Sequence, residues 1–369
     1  MYNIIIVKLI DEHGQFYEDL INQYPCLTRL RNFFQNYWNT RDNYVPSMNP
    51  ISLCRRNLDF IQRRLADYYF TAKSDGIRMQ YITWNHDNHS YGGFVNSKFW
   101  LFFVIEGEFI HSIDQYLQVD RQEECILDGE WMMLPNLVPG SNHVKTYPIE
   151  QKPEWIGFDC IASNSHSHIK MSFHERQQIV STFQFPNNNV AMSIKKWHKL
   201  TELRELASFD SQGICVRDHG ELCDGIIIAH VNGKIHKNKA LDNTMYKLKN
   251  CHSIDVYQWH DIYWCGCHGN IICFNRSHVE RLIIENSKFD SRLVDVVDWP
   301  NEAFVYNIPD FSQIVQESTI VELRFVQQYG RIKLEYIKTR LDKINANDID
   351  TILYTAQNCL ENIQLIDFV

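Results

Sequence analysis

Apolar positions along the chain fall into two textures. In residues 51–68, ISLCRRNLDFIQRRLADY, the residues Leu53, Leu58, Ile61 and Leu65 recur at helical spacing. Arg55, Arg56, Arg63 and Arg64 lie mostly elsewhere, which predicts an amphipathic helix. From about 70 to 160 the texture changes to short runs rich in Tyr, Phe, Trp and Ile, such as FWLFFVI at 99–105 and CILDGEWMML at 125–134. These runs predict strands of mostly antiparallel sheets. Helical spacing returns over 170–206, and strands are expected again at 225–231, 244–248, 254–259 and 332–339. A last amphipathic helix fits 348–363, with Ile349, Ile352, Leu353, Ala356, Leu360 and Ile363 on one face and Asn347 as its N-cap. The opening MYNIIIVKLIDEH reads as a strand: it lacks the basic segment of a signal peptide, and acids follow at once. Helices and antiparallel strands in segregated runs give an α+β class.

Composition narrows this picture. With 369 residues, 44% of them apolar, the chain has material for a substantial core and, on length, two domains. A net charge of −9 argues against a broad basic surface for duplex DNA. Eleven cysteines, an odd number scattered over a long chain, read as reduced thiols in an intracellular compartment. No apolar run approaches the roughly 20 residues of a membrane span, so no membrane association is expected.

Six segments carry candidate chemistry. TAKSDGIR at 71–78 holds Lys73, Asp75, Gly76 and Arg78. A lysine is a nucleophile only when neutral, so its surroundings must favour loss of a proton; the glycine suits a tight turn. ILDGEW at 126–131 sets Asp128 and Glu130 about a glycine in an apolar run, where charge needs a partner or a metal. WIGFDC at 155–160 places Phe158 before an acid, and LCDGIIIAHV at 222–231 leads Asp224 into an apolar strand. TMYKLKN at 244–250 puts Lys247 and Lys249 on one strand face, suited to phosphate oxygens. KTRLDKINAN at 338–347 contributes Arg340, Asp342 and Lys343. Alone, each has an ordinary reading as a charged turn, a hairpin or an exposed lysine pair.

Their order is the stronger signal. Lys-x-Asp-Gly-x-Arg, Asp-Gly-Glu, Phe-Asp, Asp-Gly-Ile-Ile, Lys-x-Lys and Arg-x-Asp-Lys follow one another between about 70 and 347. The set resembles the six-motif signature of covalent nucleotidyltransferases, the capping guanylyltransferases and polynucleotide ligases. Asp-Gly at 224–225, the stretch SIDVY at 253–257, ESTIVELRF at 317–325 and the trailing Asn347 resemble the capping branch.

The resemblance implies a nucleotidyltransferase domain of antiparallel sheets with helices (ATP-grasp-like) over 1–251. An OB-fold domain over 252–347 and a terminal helix, 348–369, packing back on the first domain would follow. It implies an mRNA guanylyltransferase in which Lys73 takes GMP from GTP and passes it to the 5′-diphosphate end of RNA. Lys247 and Lys249 would neutralise the α-phosphate, Glu130 and Asp224 would hold Mg²⁺ or Mn²⁺, and Arg78 would contact the ribose. Phe158 would stack on the purine, and Arg340, Asp342 and Lys343 would reach the β and γ phosphates when the OB domain closes.

Some positions depart from the family pattern. No arginine matches cleanly on the hairpin after the first motif (Lys98 and Arg121 are the nearest), Lys338 replaces the first arginine of the last motif, and Leu248 stands where many relatives carry tryptophan. The resemblance also implies a guanine-reading lysine upstream of the fourth motif, a place that Lys195 or Lys196 would fill. Cys265-x-Cys267, with His260 and His268 nearby, lacks a second well-spaced pair and reads as ordinary cysteines rather than a zinc site. Neither a phosphatase loop nor a methyltransferase segment is visible, so a separate RNA triphosphatase and cap methyltransferase are expected, and RNA polymerase is a candidate docking partner. Location would be the nucleus for a cellular enzyme, and a cytoplasmic factory or virion for a viral one. The competing readings are an ATP-dependent RNA or DNA ligase forming Lys-AMP, and an inactive RNA-binding scaffold.

Overall fold

The protein is described by a computed structural model over residues 2–11, 13–37, 47–109, 112–120, 123–132, 144–185, 189–209, 214–216, 222–235, 242–249, 251–259, 262–267, 269–286, 288–301, 314, 318–340, 343 and 345–368. It divides into two compact units. The first comprises Met1–Ile51, Leu65–Ala207 and Cys215–Tyr246; the second comprises Ser52–Arg64, Ser208–Ile214 and Lys247–Val369. The division after Tyr246 falls earlier than the expected 251, and Ser52–Arg64 groups with the second unit.

The elements used below are, in chain order, β1 (Tyr2–Lys8), α1 (Arg55–Gln62), β2 (Tyr68–Lys73), β3 (Ile77–His86), β4 (His89–Asn96), β5 (Trp100–Glu106), β6 (Cys125–Met132), β7 (Glu154–Ser163), α2 (Phe173–Val180) and β8 (Ala191–Ile194). They continue with β9 (Gly225–His230), β10 (Asp242–Lys249), β11 (His252–Trp259), β12 (Ile262–Cys267), β13 (Asn270–Cys273), α3 (Arg276–Glu285), β14 (Thr319–Gln328), β15 (Arg331–Thr339) and α4 (Ile349–Glu361).

In the first unit a ten-stranded sheet carries the order β7-β6-β3-β4-β5-β1 through its middle. Both faces are buried, which is why its strands read as nearly continuous apolar runs. Ile5, Val7, Trp84, Leu101, Phe103 and Ile126 enter one core, while Ile4, Ile6, Phe102, Leu127, Trp131 and Trp155 enter another. Neighbours along a strand point to opposite faces, so each strand feeds both cores. A second sheet carries β2, β9 and β10 in that order. Between Lys73 and Ile77 the chain passes from this sheet to the large one.

Two helix expectations are corrected here. The helix expected over 51–68 is confined to Arg55–Gln62, because Pro50–Ser52 forms a short strand and Leu65–Asp67 a single tight turn. Of 170–206, the α-helical parts are α2 and the four-residue Leu203–Leu206. Ser172 caps α2 reciprocally with Glu175. Ala191–Ile194 instead joins the large sheet, parallel to β7, where Met192 and Ile194 pack against the core that holds Trp155. Sheet packing overrides the helical spacing there.

The second unit holds a five-stranded antiparallel sheet in the order β13-β12-β11-β14-β15, with α3 between β13 and β14, compatible with an OB-like domain. Its core joins Ile254, Val256, Val321, Leu323 and Phe325 to Val279 and Ile283 of α3. Ile349, Ile352, Leu353 and Ala356 of α4 pack into the same core. The terminal helix therefore covers the second unit's own sheet, where the sequence reading returned it to the first domain. Its N-cap is Asp348, whose carboxylate accepts from the Asp350 N–H at 3.1 Å, and not Asn347. Among the described residues, no helix is long and apolar enough to cross a membrane.

Candidate active site

The site grows from the chain's passage between the two sheets of the first unit. Lys73 is the last residue of β2, opposite Gly225 of β9. Asp224 immediately precedes β9, and the Lys73 ammonium donates to its Oδ2 at 2.8 Å. Both side chains are partly exposed, Lys73 at 19% and Asp224 at 27%, so a ligand can reach them. Asp75 is exposed in the connection. Gly76 has a reason different from a tight turn: a Cβ there would stand 2.8 Å from the Trp131 carbonyl and 2.9 Å from the Met132 sulfur.

Across the large sheet, β3, β6 and β7 bring the next group together. Arg78 lies opposite Glu130 in the register of β3 and β6. Its guanidinium forks onto fully buried Asp128, with Nε to Oδ1 at 3.0 Å and Nη2 to Oδ2 at 2.5 Å, and its Nη1 donates to Asn49 at 3.3 Å. Burial pushes the Asp128 carboxyl up, and the Arg78 charge and hydrogen bonds oppose it. Asp128 faces Asp159 across β6 and β7. Two like charges in that position are unfavourable, and each meets an arginine. Asp159 is gripped by wholly buried Arg176 of α2 at 2.8 and 3.0 Å.

The strand runs straight through Asp128-Gly129-Glu130, so no hairpin forms there. Gly129 and Gly157 face each other under the Trp155 indole, and a Cβ on Gly129 would come within 2.3 Å of that ring. Between Gly157 and Asp159 the register slips by one residue, leaving Phe158 as the bulged position. A bulge re-aims a side chain, and here it presents half-buried Phe158 to two cations. The Arg78 guanidinium lies 5.3 Å and the Lys195 ammonium 5.8 Å from its ring centroid.

Of the two adjacent lysines, Lys195 is the one that lies inward. It follows β8, is 5% exposed, and its Nζ lies 3.5 Å from Glu130 Oε2; Lys196 is exposed. Burial pushes the Lys195 ammonium below the ordinary lysine range; Glu130 opposes this, and the Lys73 charge adds to it. That mutual influence ties Lys73, Lys195 and Glu130 into one electrostatic neighbourhood.

The remaining predicted residues belong to the second unit. Lys247 and Lys249 are half-buried at alternate positions of β10, with Leu248 buried between them, as one shared strand face requires. Arg340 follows β15 and donates to Asp255 at 3.1 Å and Glu322 at 3.2 Å; Lys343 approaches Asp255 at 3.7 Å. Asn347, expected to cap the helix, instead accepts from the Asp255 N–H at 2.7 Å. Asp342, Arg121, His260 and His268 lie outside the described residues.

Sequence reasoning missed the parts that show only in three dimensions. It chose Glu130 over Asp128 as the working acid, but nothing in the sequence says that Asp128 meets Arg78 or that Asp159 meets Arg176. Asp-Gly-Glu opposite Gly-Phe-Asp, two acid-and-glycine segments, was the available signal.

A family model described as "mRNA capping enzyme, catalytic domain" matches residues 21–250, more than half of the chain. No curated protein matches the chain. Among solved structures, the ligase domain of LigD from M. tuberculosis is 12% identical, with 82% of this chain and 96% of that one covered and a TM-score of 0.34. The ATP-dependent DNA ligase from bacteriophage T7, solved with ATP, is 11% identical, with 79% and 98% covered and a TM-score of 0.34. The motif series, the site built around Lys73 and the family match lead to one assignment: this chain belongs to the mRNA capping enzyme family through its catalytic domain, within the covalent nucleotidyltransferases.

Proposed function

We propose that the protein is an mRNA guanylyltransferase in which Lys73 carries GMP. The observation that carries this reading is the Lys73 ammonium at 2.8 Å from Asp224, beside the Glu130–Lys195 pair. In the first step the Lys73 nitrogen gives up a proton, for which the Asp224 carboxylate is the acceptor in reach, and its lone pair attacks the α-phosphorus of GTP. The bond to the bridging oxygen breaks, and pyrophosphate leaves with the electron pair. In the second step a terminal oxygen of 5′-diphosphate RNA displaces Lys73, giving a 5′-5′ triphosphate. Splitting one transfer into two displacements is the advantage of covalent catalysis.

The purine stacks on Phe158 in this reading, where the bulge holds the ring beside Arg78. Lys195, a buried donor near that ring, suits the O6 acceptor of guanine and repels the amino group adenine carries at the same position, which supports GTP over ATP. Lys247 and Lys249 serve the α-phosphate, and Arg340, Asp342 and Lys343 the leaving phosphates. Carboxylate oxygens are the ligands a hard divalent cation takes. Glu130 and Asp224 offer carboxylate oxygens, and each is charge-balanced by a lysine in the structure. They would hold Mg²⁺ or Mn²⁺, which when bound withdraws charge from the α-phosphate. RNA triphosphatase and methyltransferase partners, and docking on RNA polymerase, belong to this reading, as does action in the nucleus or in a viral factory or virion.

The test is a labelling experiment. Incubated with α-labelled GTP and divalent metal and then denatured, the protein retains acid-labile, alkali-stable label, and Lys73→Ala retains none. Label from ATP alone would convert the assignment to a ligase. Label from neither nucleotide, across metals, would leave a scaffold, and label persisting in Lys73→Ala would mean another residue is the nucleophile.

A further inference from the structure

The amphipathic helix singled out in the sequence has no part in the chemistry above, yet its outer face is built in an unusual way. Leu58 and Ile61 are the buried residues of α1. Opposite them, at helical spacings of three and four, stand Arg56, Phe60 and Arg63, with Arg64 beside them. Phe60 is 49% exposed, and the Arg64 guanidinium lies 5.0 Å from its ring centroid.

The arginines of α1 and of the turn after it differ in what they do inside the protein. Arg55 is engaged: its backbone N–H and side chain bond Glu361, and its guanidinium meets Asp367 at 3.0 Å. Arg63 and Arg64 lie at the C-terminal end, where a cation complements the helix dipole. Arg56 has neither justification. It sits in the first turn, where the dipole disfavours a cation, and no ion pair or hydrogen bond of its side chain occurs among the described residues. Asp59 is the one acid within α1. A chain of net charge −9 thus presents Arg56 and half-exposed Phe60 on the outer face of α1, and exposed Arg63 and Arg64 in the turn that follows it.

We propose that this face binds single-stranded RNA, an inference that rests on the guanylyltransferase reading. The chemistry is that of sequence-tolerant single-strand recognition: guanidinium groups take successive phosphates, and an aromatic ring offers a stacking surface to a base. A base arriving at Phe60 takes the ring face opposite Arg64. Because the contacts are to the backbone and to any π-face, the site accepts any transcript sequence, as an enzyme acting on every message end requires.

The full chain is tested by fluorescence anisotropy with 3′-labelled RNAs, one a dinucleotide and one a longer single strand, over a salt series. The longer RNA binds the wild type more tightly. The triple variant Arg56→Ala/Arg63→Ala/Arg64→Ala loses that length advantage, and its log-log salt slope falls by about 2, three phosphates at about 0.7 each. Phe60→Ala weakens the longer RNA by about 10-fold, Phe60→Tyr retains binding, and the triple lysine variant retains most of the salt slope. Formation of lysyl-GMP is unchanged in all of them. An unaltered length advantage and slope in the triple alanine variant overturn the proposal, as does binding of an acidic phosphopeptide, but not RNA, through the same residues. Absence of any lysyl-nucleotide in the wild type would instead defeat the guanylyltransferase reading, while the RNA comparison is still decided by its own result.

Discussion

Gly129 and Gly157 face each other because the Trp155 indole occupies the space their side chains would take. A methyl group at Gly129 has to displace a fully buried ring. Gly129→Ala should cost about 1–3 kcal/mol, and differential scanning calorimetry should show the transition lowered by about 2–4 °C per kcal/mol. An unshifted transition would mean the ring relocates freely. At this scale the site was partly legible. Lys73, Glu130, Phe158 and Asp224 could be picked out because each is a reactive or aromatic residue embedded in a short motif. Asp128, Asp159 and Arg176 escaped because their significance lies in mutual position: two carboxylates opposite each other in a sheet, each held by an arginine from elsewhere in the sequence. Lys195 was one of two adjacent candidates, and only burial tells them apart.

Elements were most legible where a run was long and apolar. β1, β5, β6 and β9 lie where the pattern put them, since strands with two buried faces leave little choice; β11 and β15 lie there too, although β15 is a largely exposed edge strand. The pattern failed where helical spacing was accidental, as at β8, whose residues are claimed by the edge of β7. It also missed the bulge at Phe158, which changes no residue type and is set by the slip between β6 and β7. Helix ends were legible in kind but not in place, because adjacent Asn347 and Asp348 both suit an N-cap and the neighbouring Asp255 N–H takes the first. Asp348→Ala should cost about 1 kcal/mol, measured as a lower denaturant midpoint with an unchanged slope. No loss would mean that α4 is held by its apolar contacts alone.

For the whole molecule, the ordered motif series gave the family before any coordinates, since six short matches in sequence constrain far more than any one. What it left open was the division of labour between two units. Arg340 belongs to the second, where Asp255 and Glu322 hold it. If it serves the leaving pyrophosphate, Arg340→Ala should slow lysyl-GMP formation by about 100-fold, with transfer of GMP already on the enzyme to RNA little changed. Single-turnover assays of the two half-reactions separate these, and equal slowing of both would remove Arg340 from leaving-group handling.

The Lys73–Asp224 contact at 2.8 Å also bears on how this enzyme survives among ordinary electrophiles. Anhydrides, cyanate and activated esters attack free amines indiscriminately, and a nucleophilic lysine open to solvent is exposed to all of them. While the Asp224 carboxylate holds the Lys73 nitrogen, an electrophile has to displace that contact to reach it, so the resting protein should resist acylation at Lys73. Asp224→Asn should then move two reactivities in opposite directions. Peptide mapping after limited acetic anhydride treatment should find Lys73 modified faster than in the wild type, while uptake of label from GTP falls. Parallel loss of both would show that Asp224 serves the lysine only as proton acceptor and does not shield it at rest.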